Sequence, residues 1–153
     1  APIFVLRQWH RHRTWSYNEL SARYKELPEE YYVPDVEQIT TQSTNNKQMR
    51  TDEPNEHCLE IGEYIDEQNK QAFRLYHKLL DLECPRELAR TVLPLATYSH
   101  MFATVNLLNL MKFCTLRTHD HAQYEIRVYA KAMLELAKTV APICLAAWER
   151  ESP

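Results

Sequence analysis

Glycine is almost absent. The 153-residue chain holds one, Gly62, whereas phosphate-cradling loops of the Walker and Rossmann kinds need several, so that backbone amides can approach the ligand. Neither loop can be built here. Any nucleotide phosphate must then be held by side chains, and the planar fork of arginine suits that task. Cysteine is scarce too: Cys58, Cys84, Cys114 and Cys144 are scattered without a close pair. Neither a zinc knuckle nor a Cys-x-x-Cys redox site is supported, and buried free thiols are expected. Long apolar runs are missing, since no stretch approaches the ~20 residues that cross a bilayer. The opening Ala-Pro-Ile-Phe-Val-Leu is broken by Arg7 too soon to be a signal peptide. A cytoplasmic protein with no membrane attachment is expected. Surplus positive charge is also lacking: the net charge of -3 argues against a general nucleic-acid binder, whose affinity rests on clustered Lys and Arg.

What remains has the balance of a globular protein, with 44% hydrophobic and 25% charged residues placing it away from disordered and membrane classes. Its length suffices for one ordinary core, so residues 1–153 are read as a single domain. Pro2 suits the first turn of a helix, and Ile3, Phe4, Leu6 and Trp9 supply apolar contacts, which predicts a helix at about 2–12. Pro28 and Pro34 bracket a short extended piece, 29–33. Residues 40–54 are polar and irregular and read as a surface loop. From 55 to 82 the pattern is helical, with Cys58, Ile61, Ile65, Ala72, Leu75, Leu79 and Leu82 on a stripe that faces either the core or another subunit. A short helix, 86–93, is closed by Pro94.

Residues 96–105 alternate as a strand, with Tyr98, His100, Phe102 and Thr104 opposite Met101, Ala103 and Val105. Asn106 can cap a helix ending near Arg117. Asp120-His121-Ala122-Gln123 reads as a capping box for the last helix, whose stripe is Ile126, Tyr129, Met133, Leu136 and Val140 until Pro142 bends or stops it. The expected fold class is α+β, mainly helical with a small sheet.

One stretch carries most of the chemistry. Arg11-His12-Arg13-Thr14-Trp15-Ser16-Tyr17-Asn18-Glu19-Leu20-Ser21-Ala22-Arg23-Tyr24 packs cationic, aromatic, amide, carboxylate and hydroxyl groups together without glycine. Its second half, read as a strand, puts Trp15, Tyr17, Glu19, Ser21 and Arg23 on one face at about 7 Å intervals. That row suits a small polar ligand with an anionic group. The helix at the start places Gln8 and Arg11 on a shared face beside it.

This stretch resembles the signature of the flavin-dependent thymidylate synthases, Arg-His-Arg, a Ser, then Asn-Glu-x-Ser-x-Arg-Tyr. The resemblance resumes at Pro85-Arg86-Glu87-Leu88-Ala89-Arg90-Thr91-Val92-Leu93-Pro94, and again at Leu116-Arg117, His121-Ala122-Gln123 and Glu125-Ile126. It implies reductive methylation of deoxyuridine monophosphate (dUMP) to thymidine monophosphate, with methylenetetrahydrofolate as carbon donor, FAD as redox carrier and NADPH as reductant. It implies a homotetramer with sites built from several subunits. Arg117 would be the catalytic residue that polarises the uracil, an electrostatic device of the oxyanion-hole type. Gln8, Arg11, Glu19, Ser21, Arg23 and Arg90 would bind dUMP with it, and Arg11, His12, Arg13, Glu19, Asn106 and Lys112 would border FAD. A neutral His12 is expected between its two arginines.

The chain departs from the family at Leu108, where Arg is usual, at Lys112, commonly Asn or His, and at His100, commonly Arg. It also begins just before the signature, so it resembles the C-terminal two-thirds of the family. It is expected to be a fragment, or to receive the missing N-terminal segment from a separate chain. Two other readings compete. His10-x-His12 and His119-x-His121 can hold a transition metal only if they converge, and no matching Cys or carboxylate spacing supports that, so no metal site is expected. A single-stranded nucleic-acid or nucleotide-binding module without catalysis would use Arg11, Arg13, Trp15, Tyr17 and Arg23 for charge and stacking.

Overall fold

The computed structural model describes residues 1–151. The fold is α+β: among the described residues there are six α-helices and four short strands. The elements are α1 (Ile3–Trp9), β1 (Ser16–Glu19), β2 (Thr40–Gln42), β3 (Arg50–Pro54), α2 (Cys58–Asp81), α3 (Arg86–Ala89), β4 (Met101–Thr104), α4 (Leu107–Arg117), α5 (Tyr124–Val140) and α6 (Pro142–Glu151). Strands β1 and β4 form one two-stranded sheet and β2 and β3 another. The chain divides into two compact units, Ala1–Leu6 with Asn18–Phe102, and Arg7–Tyr17 with Ala103–Pro153. The division falls inside α1, β1 and β4.

The first unit is organised on α2. Its buried face is Asn69, Ala72, Phe73 and Tyr76, spaced at three and four residues as one side of a helix requires. Phe73 and Tyr76 are fully buried with Ala89 of α3, and Tyr31, Leu79, Leu80, Cys84, Val92 and Leu93 pack around them. Full burial of a Phe-sized side chain contributes about 1.5–3 kcal/mol. Within the piece expected to be extended, 29–33, one residue joins a bridge. Tyr31 bridges Thr97, and its hydroxyl donates to Asp66 Oδ1 at 3.1 Å. The expected stripe on α2 was drawn to one side of the true face, since Leu75 and Leu82 are exposed.

α2 ends at a left-handed residue. Glu83 has φ 57°, its N–H donates to Leu80 O, and Cys84 N–H donates to Leu79 O, both at 2.9 Å. These two bonds form a Schellman cap, in which glycine is the usual left-handed residue.

Three other expectations fail locally. The segment 40–54 is an antiparallel hairpin, with Thr40 opposite Pro54 and Gln42 opposite Arg50. The hydroxyls of Thr41 and Thr51 meet across it at 2.6 Å, a cross-strand pair that polar composition concealed. The signature strand stops at Glu19. Tyr24 N–H donates to Ser21 O and Arg23 N–H to Ser21 Oγ, so Ser21 opens a turn and the row of side chains does not continue to Arg23. The strand expected over 96–105 is regular only in β4; Thr97 and Tyr98 form isolated bridges instead.

The second unit closes on aromatic rings. Trp9 of α1 stacks on Phe113 of α4 at 5.2 Å, Trp15 lies 5.1 Å from Phe113, and Tyr129 of α5 tilts against Trp9 at 5.8 Å. Each such pair adds about 0.5–1.5 kcal/mol beyond area burial. Helix α1 ends at Trp9, three residues short of expectation, because the chain turns there: His12 N–H donates to Trp9 O at 2.9 Å. Asn106 caps α4 as expected, its Oδ1 accepting from Asn109 N–H at 2.9 Å. The capping box at 120–123 does not form. Gln123 occupies the N-cap without a side-chain capping bond to the helix, and Asp120 pairs with Arg127 at 2.9 Å. Pro142 separates α5 from α6, and the end of the α5 stripe, Leu136 and Val140, is exposed.

All four cysteines are free, but only Cys114 is buried; Cys144 is exposed and the other two are half-buried. No helix among the described residues is long and apolar enough to cross a membrane.

Candidate functional site

The expected site residues form two groups, one in each unit. In the first unit are Glu19, Ser21, Arg23 and Arg90. Arg23 and Arg90 are exposed cations that share Glu87 of α3: Arg23 Nη2 lies 3.5 Å from Glu87 Oε2, and Arg90 Nε donates to Glu87 O at 3.4 Å. Two guanidinium groups converging on one residue make an anion-favouring patch, since the single carboxylate offsets only one of them. Ser21 is half-buried and Glu19 exposed. Glu87 stands inside a motif that marked the family, yet its pairing with Arg23 has no signal in the sequence.

In the second unit are Gln8, Arg11, His12, Arg13, Asn106, Lys112 and Arg117. Arg117, the last residue of α4, is half-buried. Its Nε donates to His12 Nε2 at 3.0 Å and its Nη2 to Gln8 O at 3.2 Å. Gln8 is thus a backbone anchor, and its side-chain amide donates to Gln123 Oε1. The Tyr17 hydroxyl shares its one proton between two carbonyls, Trp9 O at 2.7 Å and His12 O at 2.9 Å, which fixes the turn carrying His12. Gln123 and Tyr17 are supporting residues, a role that the motif reading did not give them.

His12 has its pKa lowered from 6.5, first by burial and then by Arg117. The neutral form agrees with expectation, but the partner is Arg117 rather than Arg11 or Arg13. Burial also lowers the pKa of Arg117, without approaching neutrality for a guanidinium. Cys114, one turn before Arg117, is fully buried, and its thiol is pushed up to about 11. It therefore supplies no thiolate at neutral pH.

Arg11 and Arg13 are exposed in the turn after α1, and Lys112 is exposed on α4. Leu108 and Leu116, four residues to either side of Lys112, share its helix face and are also exposed. Asn106 commits Oδ1 to its cap, which leaves its amide N–H groups for another acceptor.

Trp15 is 6% exposed and Tyr17 is half-buried with its hydroxyl engaged, so the aromatic set proposed for stacking on bases is core instead. Two of the paired histidines carry other bonds. His12 Nε2 accepts from Arg117, and His119 Nδ1 accepts from His121 N–H. Among the described residues no group of three His, Cys, Asp or Glu could hold a metal ion.

Fold and side chains together define an α+β protein that exposes arginine side chains and has a single glycine, so no glycine-rich loop. Residues 1–143 match the family model described as thymidylate synthase complementing protein. The chain belongs to that family. It is 46% identical over 151 residues to the flavin-dependent thymidylate synthase of Treponema denticola, covering 97% of this chain and 57% of that relative. It is 40% identical over 152 residues to the enzyme of the same name from Pseudothermotoga lettingae, covering 99% and 62%. The chain therefore spans only part of the length of the curated relatives it matches.

Among solved structures, the UMP/dUMP methylase PolB from Streptomyces cacaoi bound with 5-Br dUMP superposes with a TM-score of 0.88 at 36% identity, covering 98% of this chain and 68% of that one. The same protein bound with 5-Br UMP gives a TM-score of 0.91 at 35% identity, covering 99% and 70%.

Proposed function

We propose that this chain takes part in the reductive methylation of dUMP at C5, as a flavin-dependent thymidylate synthase, with methylenetetrahydrofolate as the carbon donor and NADPH as the reductant. The observation that carries this reading is the setting of Arg117. Its Nε–Nη2 edge is occupied by His12 and the Gln8 carbonyl, which leaves the Nη1–Nη2 fork for a ligand. Two N–H donors in one plane match the pyrimidine edge at N3 and an adjacent carbonyl, and a fixed cation there stabilises the anion left when N3 loses its proton. C5 then gains nucleophilic character without a thiolate adding to C6. The buried Cys114 thiol is consistent with that. The names of the relatives and the nucleotide analogues bound by the solved neighbour point the same way.

Arg23 and Arg90 hold the phosphate in this proposal, Ser21 donates to it, and Glu19, Gln8 and Arg11 bind the remainder of the nucleotide. In a homotetramer whose sites draw on several subunits, these residues need not come from the chain that supplies Arg117. The residues expected near FAD fit such a group: Arg11, Arg13 and Lys112 are exposed cations suited to a pyrophosphate, and Asn106 keeps its amide donors. His12 and Glu19 complete that set. When bound, FAD supplies the hydride that reduces the transferred carbon. A cytoplasmic setting remains part of the proposal.

Tritium release from [5-3H]dUMP, with FAD, NADPH and methylenetetrahydrofolate supplied, tests the reaction. In an Arg117→Lys variant the charge persists but the fork is lost, so turnover is expected to fall far more than dUMP affinity. Equal losses would remove Arg117 from the activating role, and release that does not depend on flavin would remove the reaction class.

A further inference from the structure

His12 and Arg117 are 105 residues apart in sequence, and among the described residues theirs is the side-chain to side-chain bond that holds the guanidinium. An arginine has five N–H donors and no acceptor, so the acceptor in this bond must be the Nε2 lone pair. The imidazole is therefore neutral, with its proton on Nδ1. The ring is held independently of Arg117. It packs edge-on against Phe113 at 4.8 Å, its backbone N–H donates to Trp9 O, and its carbonyl accepts from Tyr17. A ring fixed in this way is a rigid acceptor, and a rigid acceptor at Nε dictates the plane of the guanidinium.

We infer that His12 is a positioning residue for Arg117: its neutral Nδ1–H imidazole anchors Nε, so that the Nη1–Nη2 fork is the edge presented to the pyrimidine. This deepens the dUMP-methylation proposal and rests on it. It differs from a flavin contact, because the ring atom in question is already bonded to the side chain that acts on the base. Protonation of His12 would place an N–H against the Arg117 Nε–H, which removes the bond and sets two cations together. The guanidinium would then lose its plane. Among the described residues, the titratable side chains that reach His12 are Arg117 from α4, at the ring, and Tyr17 from β1, at the backbone carbonyl, with the exposed Arg11 and Arg13 beside it in the chain. Burial and Arg117 both favour the neutral ring, so the arrangement holds at neutral pH and fails on acidification.

Three proteins test this: the wild-type chain, His12→Phe, which keeps a ring against Phe113 without an acceptor, and His12→Gln, whose amide oxygen can accept from Nε. Long-range 1H–15N correlation of the histidine rings reads the tautomer in the wild-type chain alone. The expected result is an Nδ1–H tautomer at pH 7; an Nε2–H tautomer or an imidazolium overturns the inference, whatever reaction the chain performs.

In the tritium-release assay, kcat of His12→Phe is expected to fall about tenfold to a hundredfold, as for a misplaced catalytic group, with KM for dUMP little changed. His12→Gln should recover a large part of that loss, and its rate should lack the acid limb shown by the wild-type chain. Equal losses in both variants, or a fall in FAD affinity that accounts for the lost turnover, would make His12 a structural or cofactor residue. A wild-type chain that forms no thymidylate would sink the methylation proposal, and the ring nitrogen spectrum would still decide whether His12 anchors Arg117.

Discussion

The Arg23 guanidinium stands 3.5 Å from the Glu87 carboxylate, and both side chains are more than half exposed, at 52% and 57%. Water screens a pair of that kind, so its contribution to folding is well under about 1 kcal/mol. An anion that displaces Glu87 therefore meets little resistance. Arg90, bonded to the Glu87 carbonyl, brings a second cation to the same residue.

Replacement of Arg23 or Arg90 by Ala is accordingly expected to leave the melting temperature nearly unchanged. Binding of dUMP should weaken by about 1.5–3 kcal/mol, the range for a hydrogen bond to a charged group. Deoxyuridine, without the phosphate, should bind the variants and the parent alike. Calorimetric titration of both ligands separates the cases, and parallel weakening of the two would make these arginines structural.

Glu83 offers a stability test independent of function. Its φ of 57° lies in the left-handed region, where a Cβ costs about 1–2 kcal/mol relative to glycine. Part of that gain is offset by the greater freedom of glycine in the unfolded chain, which leaves about 0.5–1 kcal/mol. Glu83→Gly should raise the melting temperature by about 1–4 °C, whereas the β-branched Glu83→Val should lower it. A lower melting temperature for the glycine variant would show that the Glu83 side chain contributes more than the backbone strain.

Folding should also depend on pH through His12. Its pKa in the folded chain lies below the ordinary 6.5, because burial and Arg117 oppose the imidazolium. The unfolded chain thus takes up the proton first as pH falls. The stabilising contribution is complete above about pH 6.5 and is lost as pH drops through the folded value. Urea denaturation from pH 7.5 to about 5 should show a steeper loss for the wild-type chain than for His12→Gln, which has no proton to gain there. Identical slopes would mean that His12 titrates alike in both states.

Long, periodic elements were legible in the sequence. The spacing of apolar residues located α2, and Asn106 marked the start of α4, because a helix that buries one face must repeat at three and four residues. The hairpin of β2 and β3 was hidden for the opposite reason. Its polar residues show no alternation, and it is held by backbone bonds and a Thr41–Thr51 contact that composition cannot display. Trp15 seemed part of a ligand-facing row because β1 was extended too far; Ser21 ends that row by folding back on its own backbone.

The motifs named the candidate site residues one by one, but the bonds that join those residues were not legible in the sequence. Arg117 reaches His12 and Gln8 across 105 and 109 residues, and no local pattern encodes such a meeting. Family resemblance supplied the names of the parts, and geometry supplied which of them support the others.

Asn106 joins a structural role to a proposed cofactor role, and substitution can separate them. Its Oδ1 caps α4 through Asn109 N–H at 2.9 Å, and loss of such a cap costs about 1 kcal/mol. The amide N–H groups take no part in that bond and are the donors available to FAD. Asn106→Ala should therefore lower both the melting temperature and FAD affinity. Asn106→Ser keeps a side-chain oxygen able to cap the helix, because serine is nearly as good an N-cap as asparagine, but its short hydroxyl cannot also extend an amide donor toward the cofactor. It should melt close to the parent while binding FAD as weakly as the alanine variant. Thermal melts without flavin, paired with FAD titration by fluorescence quenching, give the two readouts on the same proteins. If Asn106→Ser recovers FAD affinity together with stability, the asparagine serves the helix alone, and the flavin contacts must be sought at Arg11, Arg13 and Lys112.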